Sequence, residues 1–337
     1  MVIHTTKLKS TLLMGALICL CLAVNGQDVH LSQFYTSNTS LNPALTGHFD
    51  GDWRFQANYR SQWRQVTSPI TTSMFSAEKK ISRFRDEFGV GLILINDQAP
   101  AVQLNTNKIL LSGSYQRYIS KIHFRFGLQG GVVQRSISYG SQTYPTQWNY
   151  GSGNFDQSAP SGETDLKNNV SYPVVNSGLA ATRLFGTAKI TLGYAISYLN
   201  RPKDNFGLLN NRLGYKHTLH ANAHLHLGPR LSILPNLLYL RANTATNLVA
   251  NTLVEKRIGD KAAIFAGPGY RGSFGNSDAV ILYTGIRINR FDIGLSFDYN
   301  ISKLSKDASN KSSWELALSY TSPNAKVNKV TIPCDRY

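Results

Sequence analysis

FDIGLSFDYNIS, residues 291–302, alternates almost throughout. Phe291, Ile293, Leu295, Phe297, Tyr299 and Ile301 fall on one side of an extended strand, and Asp292, Gly294, Ser296, Asp298 and Asn300 on the other. A period of two identifies a strand but leaves open which row meets water. In a soluble sandwich the apolar row packs against a second sheet; in an outer-membrane barrel it faces lipid and the polar row lines the interior. The rest of the chain decides between them.

Several segments share the pattern. WRFQANY (53–59), IHFRFGLQGGV (122–132), KITLGYAISY (189–198), LHANAHLHL (219–227) and WELALSY (314–320) each carry one oily and one polar face. Weaker candidates lie near 70–80, 89–96, 107–118, 173–183, 231–241, 247–258, 262–270 and 279–288. The total is about fourteen, an even number of the kind bacterial outer-membrane barrels show. The connections alternate in length. Those near 81–88, 119–121, 184–188, 228–230, 259–261 and 289–291 are short, whereas 61–69, 97–106, 139–172, 199–216, 271–278 and 302–312 are longer and more polar, with 242–246 a short exception among them. Tight turns at one rim and long loops at the other are the habit of a barrel and not of a sandwich. Trp53 and Tyr59, Phe291 and Tyr299, and Trp314 and Tyr320 bracket the apolar faces of their strands, where two headgroup levels would lie. The expected fold is an all-β, antiparallel, monomeric transmembrane barrel of about fourteen strands.

The chain opens with Lys7 and Lys9, an apolar run from Leu12 to Val24, and Asn25-Gly26 before Gln27, the order of a secretory signal peptide cut after Gly26. The run is shorter than the roughly 20 residues of a spanning helix. The expected organisation is a signal peptide over 1–26, a periplasmic or plug arm over 27–51 that could fold into the barrel mouth or present to a partner, the barrel over 52–321 and a periplasmic tail over 322–337. Cleavage leaves Cys334 as the sole cysteine, which excludes an internal disulfide framework. The net charge of +16 suits an acidic partner or surface. An exported barrel has no access to nucleic acid, and no recognition module is visible.

Candidate sites are few. His220, His224 and His226 share one polar strand face, where alternate imidazoles stand about 7 Å apart; they form a weak metal candidate, without a local Cys or carboxylate, or else a hydrophilic lumen row. GSGNFDQSAPSG (151–162) is glycine-rich but lacks the strand-to-helix context of a phosphate loop and reads as an exposed loop. No motif supplies a nucleophile, base and orienter, and none marks a cofactor, so no enzyme is expected. Arg54 and Arg125 lie on polar strand faces and could serve an anion-selective lumen, pair with acids in a plugged one, or meet anionic lipid heads at a rim.

The stretch QDVHLSQFYTSNTSLNPALTG (27–47), followed by NYRSQW (58–63), resembles the opening of the PorP/SprF family of Bacteroidetes outer-membrane proteins. The shared elements are Gln27-Asp28, Ser32 to Tyr35, Leu41 to Ala44 with Gly47, and Asn58 to Trp63; the strands at 291–304 and 314–320 resemble it too, and Val29 stands where that family often has Pro. The resemblance implies an accessory of the type IX secretion system, in some members tied to gliding motility, which helps cargo proteins cross the outer membrane or stay at the surface. Its partners would be outer-membrane lipid, periplasmic secretion components and a cargo. An even strand count puts both chain ends in the periplasm, which makes Gln33, Phe34, Tyr35, Asn42, Pro43, Ala44 and Cys334 the expected docking residues. The alternative is a porin-like diffusion channel for small solutes, anionic ones among them.

Overall fold

The computed structural model describes residues 31–64, 68–83, 86–139, 142–162, 167–206, 211–273, 276–302 and 312–324; the expected signal peptide and Cys334 lie outside them. Fourteen antiparallel strands close into a barrel. In chain order they are β1 (Trp53–Gln62), β2 (Ile70–Arg83), β3 (Asp86–Ala99), β4 (Leu104–Ile119), β5 (Ile122–Ile137), β6 (Asn169–Phe185) and β7 (Ala188–Ser197), then β8 (Lys216–His226), β9 (Leu231–Ala242), β10 (Ala245–Ile258), β11 (Ala262–Ser273), β12 (Asn276–Ile288), β13 (Phe291–Asn300) and β14 (Ser313–Thr321). Each strand pairs with its neighbours in sequence, and β1 closes on β14 from Arg54 opposite Thr321 to Gln62 opposite Ser313. A two-stranded ribbon, 148–149 with 154–155, decorates the longest loop.

The alternation in β13 is resolved by burial. Phe291 and Tyr299 are 54% and 55% exposed, whereas Ser296 and Asp298 are 1% and 2% exposed. The apolar row therefore covers the outside and the polar row the inside, the arrangement of a lipid-facing barrel wall. Tyr59 packs on Trp314 at 5.3 Å and Phe291 on Tyr320 at 4.8 Å, which sets aromatic pairs at opposite ends of the β1–β14 and β13–β14 seams. No described helix is long and apolar enough to cross a membrane.

Two of the longer expected loops are shorter than anticipated. β11 and β12 run to Ser273 and from Asn276, and β3 and β4 are separated only by a turn at Pro100–Val102 and the left-handed Gln103. The cause is polar pairing past the apolar band. Asn96 donates to Asn105 and Asn107 across the ladder, which keeps those strands paired where their side chains are no longer greasy. The long rim is thus built mainly by the connections 63–69, 138–168, 198–215 and 301–312.

Candidate functional site: an arm inside the barrel

The barrel's interior is occupied by its own N-terminal arm, residues 31–49, in short helical turns at Phe34–Thr36, Asn38–Leu41 and Pro43–Leu45. Proline at the first position of the last turn and Asn42 accepting from the Ala44 amide fix that turn locally. The path descends through the lumen. Leu31 packs with Met74, Ile93, Leu110 and Val174 toward the long-loop rim, and the arm reaches the short-turn rim at His48 and Phe49, where Lys80 donates to the Phe49 carbonyl at 2.9 Å.

The upper end is held by charge. Glu315 on β14 accepts from the Ser32 and Gln33 amides at 2.7 and 3.1 Å, and the Ser32 hydroxyl donates to Asp298 on β13 at 2.8 Å. Arg60 on β1 bonds Asp298 at 2.8 Å and Glu315 at 3.2 Å and also donates to the Ser32 hydroxyl; Arg271 on β11 adds a 2.7 Å bond to Asp298. Tyr283 donates to the Ser32 carbonyl at 3.0 Å. Arg60, Glu315 and Asp298 are at most 2% exposed, so each buried charge depends on the others and on the arm.

The middle and lower arm are held by shape and by neutral hydrogen bonds. Asn42 donates to the Leu179 carbonyl at 3.0 Å and lies 3.1 Å from the His220 ring. Gly127 on β5 faces the Pro43 backbone, and Gly89 on β3 the Thr46 carbonyl, so closely that a β-carbon on either glycine would collide with the arm. Thr46 also takes bonds from Ser114 and Gln116 through its carbonyl, at 2.7 and 2.8 Å, while the Gly47 amide donates to Glu78 at 2.9 Å. His48 lies 3.1 Å from Arg125. Desolvation, then Arg125 and Lys189, hold its imidazole well below the usual range. Burial likewise pushes the Tyr35 phenol up.

Gln33, Phe34, Asn42, Pro43 and Ala44 are buried inside the barrel and Tyr35 is half-buried there. They lie within the lumen and not at the short-turn rim, because the apolar Leu31 and Phe34 and the carboxylates of β13 and β14 draw the arm's start into the long-loop half. The three histidines do not form one group: the rings of His224 and His226 pack at 4.2 Å, while His220 stands apart. His220 bonds Asn42 and Asn222, His226 bonds Ser232, and the described residues contain no group of three metal-type side chains. Arg54 is paired with Glu78 at 2.8 Å. The acceptors Asp298 and Glu315 and the lumen glycines were not singled out from the sequence; the only signal was their place on the polar rows of their strands.

Cavities lie on opposite faces of the arm. One of about 100 Å³ on the long-loop side touches Leu31, Phe34, Ser37 and Leu41, and its wall is mostly apolar with Lys108 and Lys216. A second, of about 290 Å³, touches Tyr35, Asn38, Leu45 and His48 on the short-turn side.

Among solved structures the barrel is similar to the CymD monoaromatic hydrocarbon channel, with a TM-score of 0.52, 13% identity, and coverage of 86% of this chain and 93% of that one. It is similar also to the Pseudomonas putida toluene transporter TodX (TM-score 0.52, 10% identity, 84% and 93% covered) and the Ralstonia pickettii toluene transporter TbuX (0.53, 10%, 85% and 92%). At such identities the likeness is one of fold, an outer-membrane barrel. No curated protein matches the sequence. The sequence model of a family described as type IX secretion system membrane protein PorP/SprF matches residues 23–320. An outer-membrane barrel matched over nearly its whole length by that model, this chain belongs to the PorP/SprF family of type IX secretion proteins.

Proposed function

We propose that the protein is a non-enzymatic, closed platform in the outer membrane that supports the export or surface attachment of cargo by the type IX machinery. The observation that carries this reading is the arm, tied to six or more strands and flanked by a cavity on each face. A barrel whose lumen is crossed by its own chain serves better as a surface for partners than as a conduit. Family membership supplies the machinery; the long-loop rim offers a surface for cargo, and the short-turn rim, where Asn324 bonds Asp50 at 3.1 Å, a surface for periplasmic components.

A second reading, a diffusion channel, is favoured by the fold neighbours and by the apolar cavity at the long-loop end. Planar-bilayer recording separates the two. The platform reading expects a closed bilayer with the intact protein and steady conductance once residues 31–48 are deleted. Conductance by the intact barrel, together with an unchanged surface and secreted proteome in a deletion strain, would establish the channel instead.

A further inference from the structure

The lower lumen contains two basic side chains, Arg125 and Lys189, that have no ion-pair carboxylate among the described residues, although Glu87 and Asp50 act on them from farther off. Arg125 is 2% exposed, yet among the described residues it has no carboxylate within ion-pair distance. Its Nη1 stands 3.1 Å from His48 Nδ1 and 3.3 Å from His123 Nδ1, its Nη2 donates to the Thr182 hydroxyl at 2.6 Å, and its Nε is buried without a partner. Lys189 lies near it and makes no hydrogen bond or ion pair among the described residues, with Asp50 the carboxylate that acts on it from a distance. His123 is 4% exposed with an unpartnered Nε2, 3.7 Å from Glu87. A buried guanidinium is ordinarily met by a carboxylate, as Arg54 and Arg60 are in this same lumen.

We infer that this cluster is the binding site of an oxyanion of the phosphate class. Arg125 and Lys189 bring two cations, which match a phosphate monoester better than a single carboxylate. The entrance is the cavity of about 290 Å³ at the short-turn end, whose wall includes His48, Lys189 and Thr191 and the mutually paired Glu255 and Arg287; Arg125 lies behind this wall, where its partner Thr182 bonds Thr191. The phosphate can come free or on a lipid head. The barrel wall leaves room for the second source. Strand pairing is interrupted beside Pro235 and Pro268, and an apolar groove on that stretch of wall shares Asn222, Ala223 and Asn236 with the inner cavity.

The test uses the purified full-length protein in micelles, with heat-modifiable migration as the check on folding. Inorganic phosphate is titrated by calorimetry against chloride at matched ionic strength, for the wild type, Arg125→Gln and Lys189→Met; native mass spectrometry reports any phosphorylated lipid retained. Saturable phosphate binding weakened about tenfold or more in both folded variants assigns free phosphate. A phosphorylated lipid retained by the wild type and lost from both variants assigns the lipid head. The inference is overturned if the wild type neither binds phosphate nor retains such a lipid, or if both folded variants behave as it does.

Discussion

Glu315 gathers two amides of the arm and one guanidinium on a single carboxylate, with no water-exposed surface of its own. Glu315→Gln replaces one acceptor by a donor aimed at donors, and breaking such a buried pair costs about 3–5 kcal/mol. The expected outcome is a barrel that still folds, unfolds at lower temperature on heat-modifiability gels, and admits chymotrypsin to Phe34 and Tyr35. An equally protected arm would remove the carboxylate from its anchoring role. His48 gives the arm a pH response of known sign. Its imidazole is held neutral in the lumen below the usual value of about 6.5, whereas a released arm binds the proton freely. Seating is therefore undisturbed above that value and weakens as pH falls below it. Protection factors of the amides in residues 42–48, corrected for the intrinsic exchange rate at each pH, should fall between pH 7.5 and 5, and a His48→Gln variant should lose the dependence.

A strand of this barrel is a two-sided object, and its two sides fail differently. Leu295 is 46% exposed on the outer face of β13. Leu295→Arg puts a charge against hydrocarbon, at a cost of about 2–4 kcal/mol near the midplane, and should lower the yield of protein folded into vesicles. Ser296→Ala, one residue on and facing inward, should leave vesicle folding unchanged. The strand pattern was legible in the sequence for this reason: lipid on one side and polar lumen on the other impose a strict period on Phe291 to Tyr299. The arm was less legible. Its turns at Asn42-Pro43 could be anticipated, but its position depends on Asp298 and Glu315, more than 260 residues away, and on Gly127 and Gly89 lacking side chains where the backbone passes. Nothing local in SQFY tells an anchored segment from a presented one.

At the scale of the molecule, the two rims define an orientation. Short turns such as 227–230 and 259–261 should face the periplasm and the loop 138–168 the outside. Single cysteines introduced in a Cys334→Ser background and labelled with an impermeant maleimide on intact cells should react at Ser152 and stay unlabelled at Asp260. Labelling in the reverse sense would invert the barrel and exchange the roles proposed for its rims. Loop lengths alone carried this reading only in part, because polar ladders such as Asn96 with Asn105 and Asn107 extend strands beyond the apolar band and shorten apparent loops.

The hydrogen bonds from Ser32 to Asp298 and Glu315 join residues 266 and 283 positions apart. Contacts so distant in the chain close late, after the intervening strands have assembled. The first ordered residues must therefore wait for the last ones, and the arm becomes captive when β1 zips to β14. A chain stalled before that final seam leaves its N-terminal segment loose and open to proteases, whereas a finished barrel hides it, so protection of Phe34 is a readout of completed assembly.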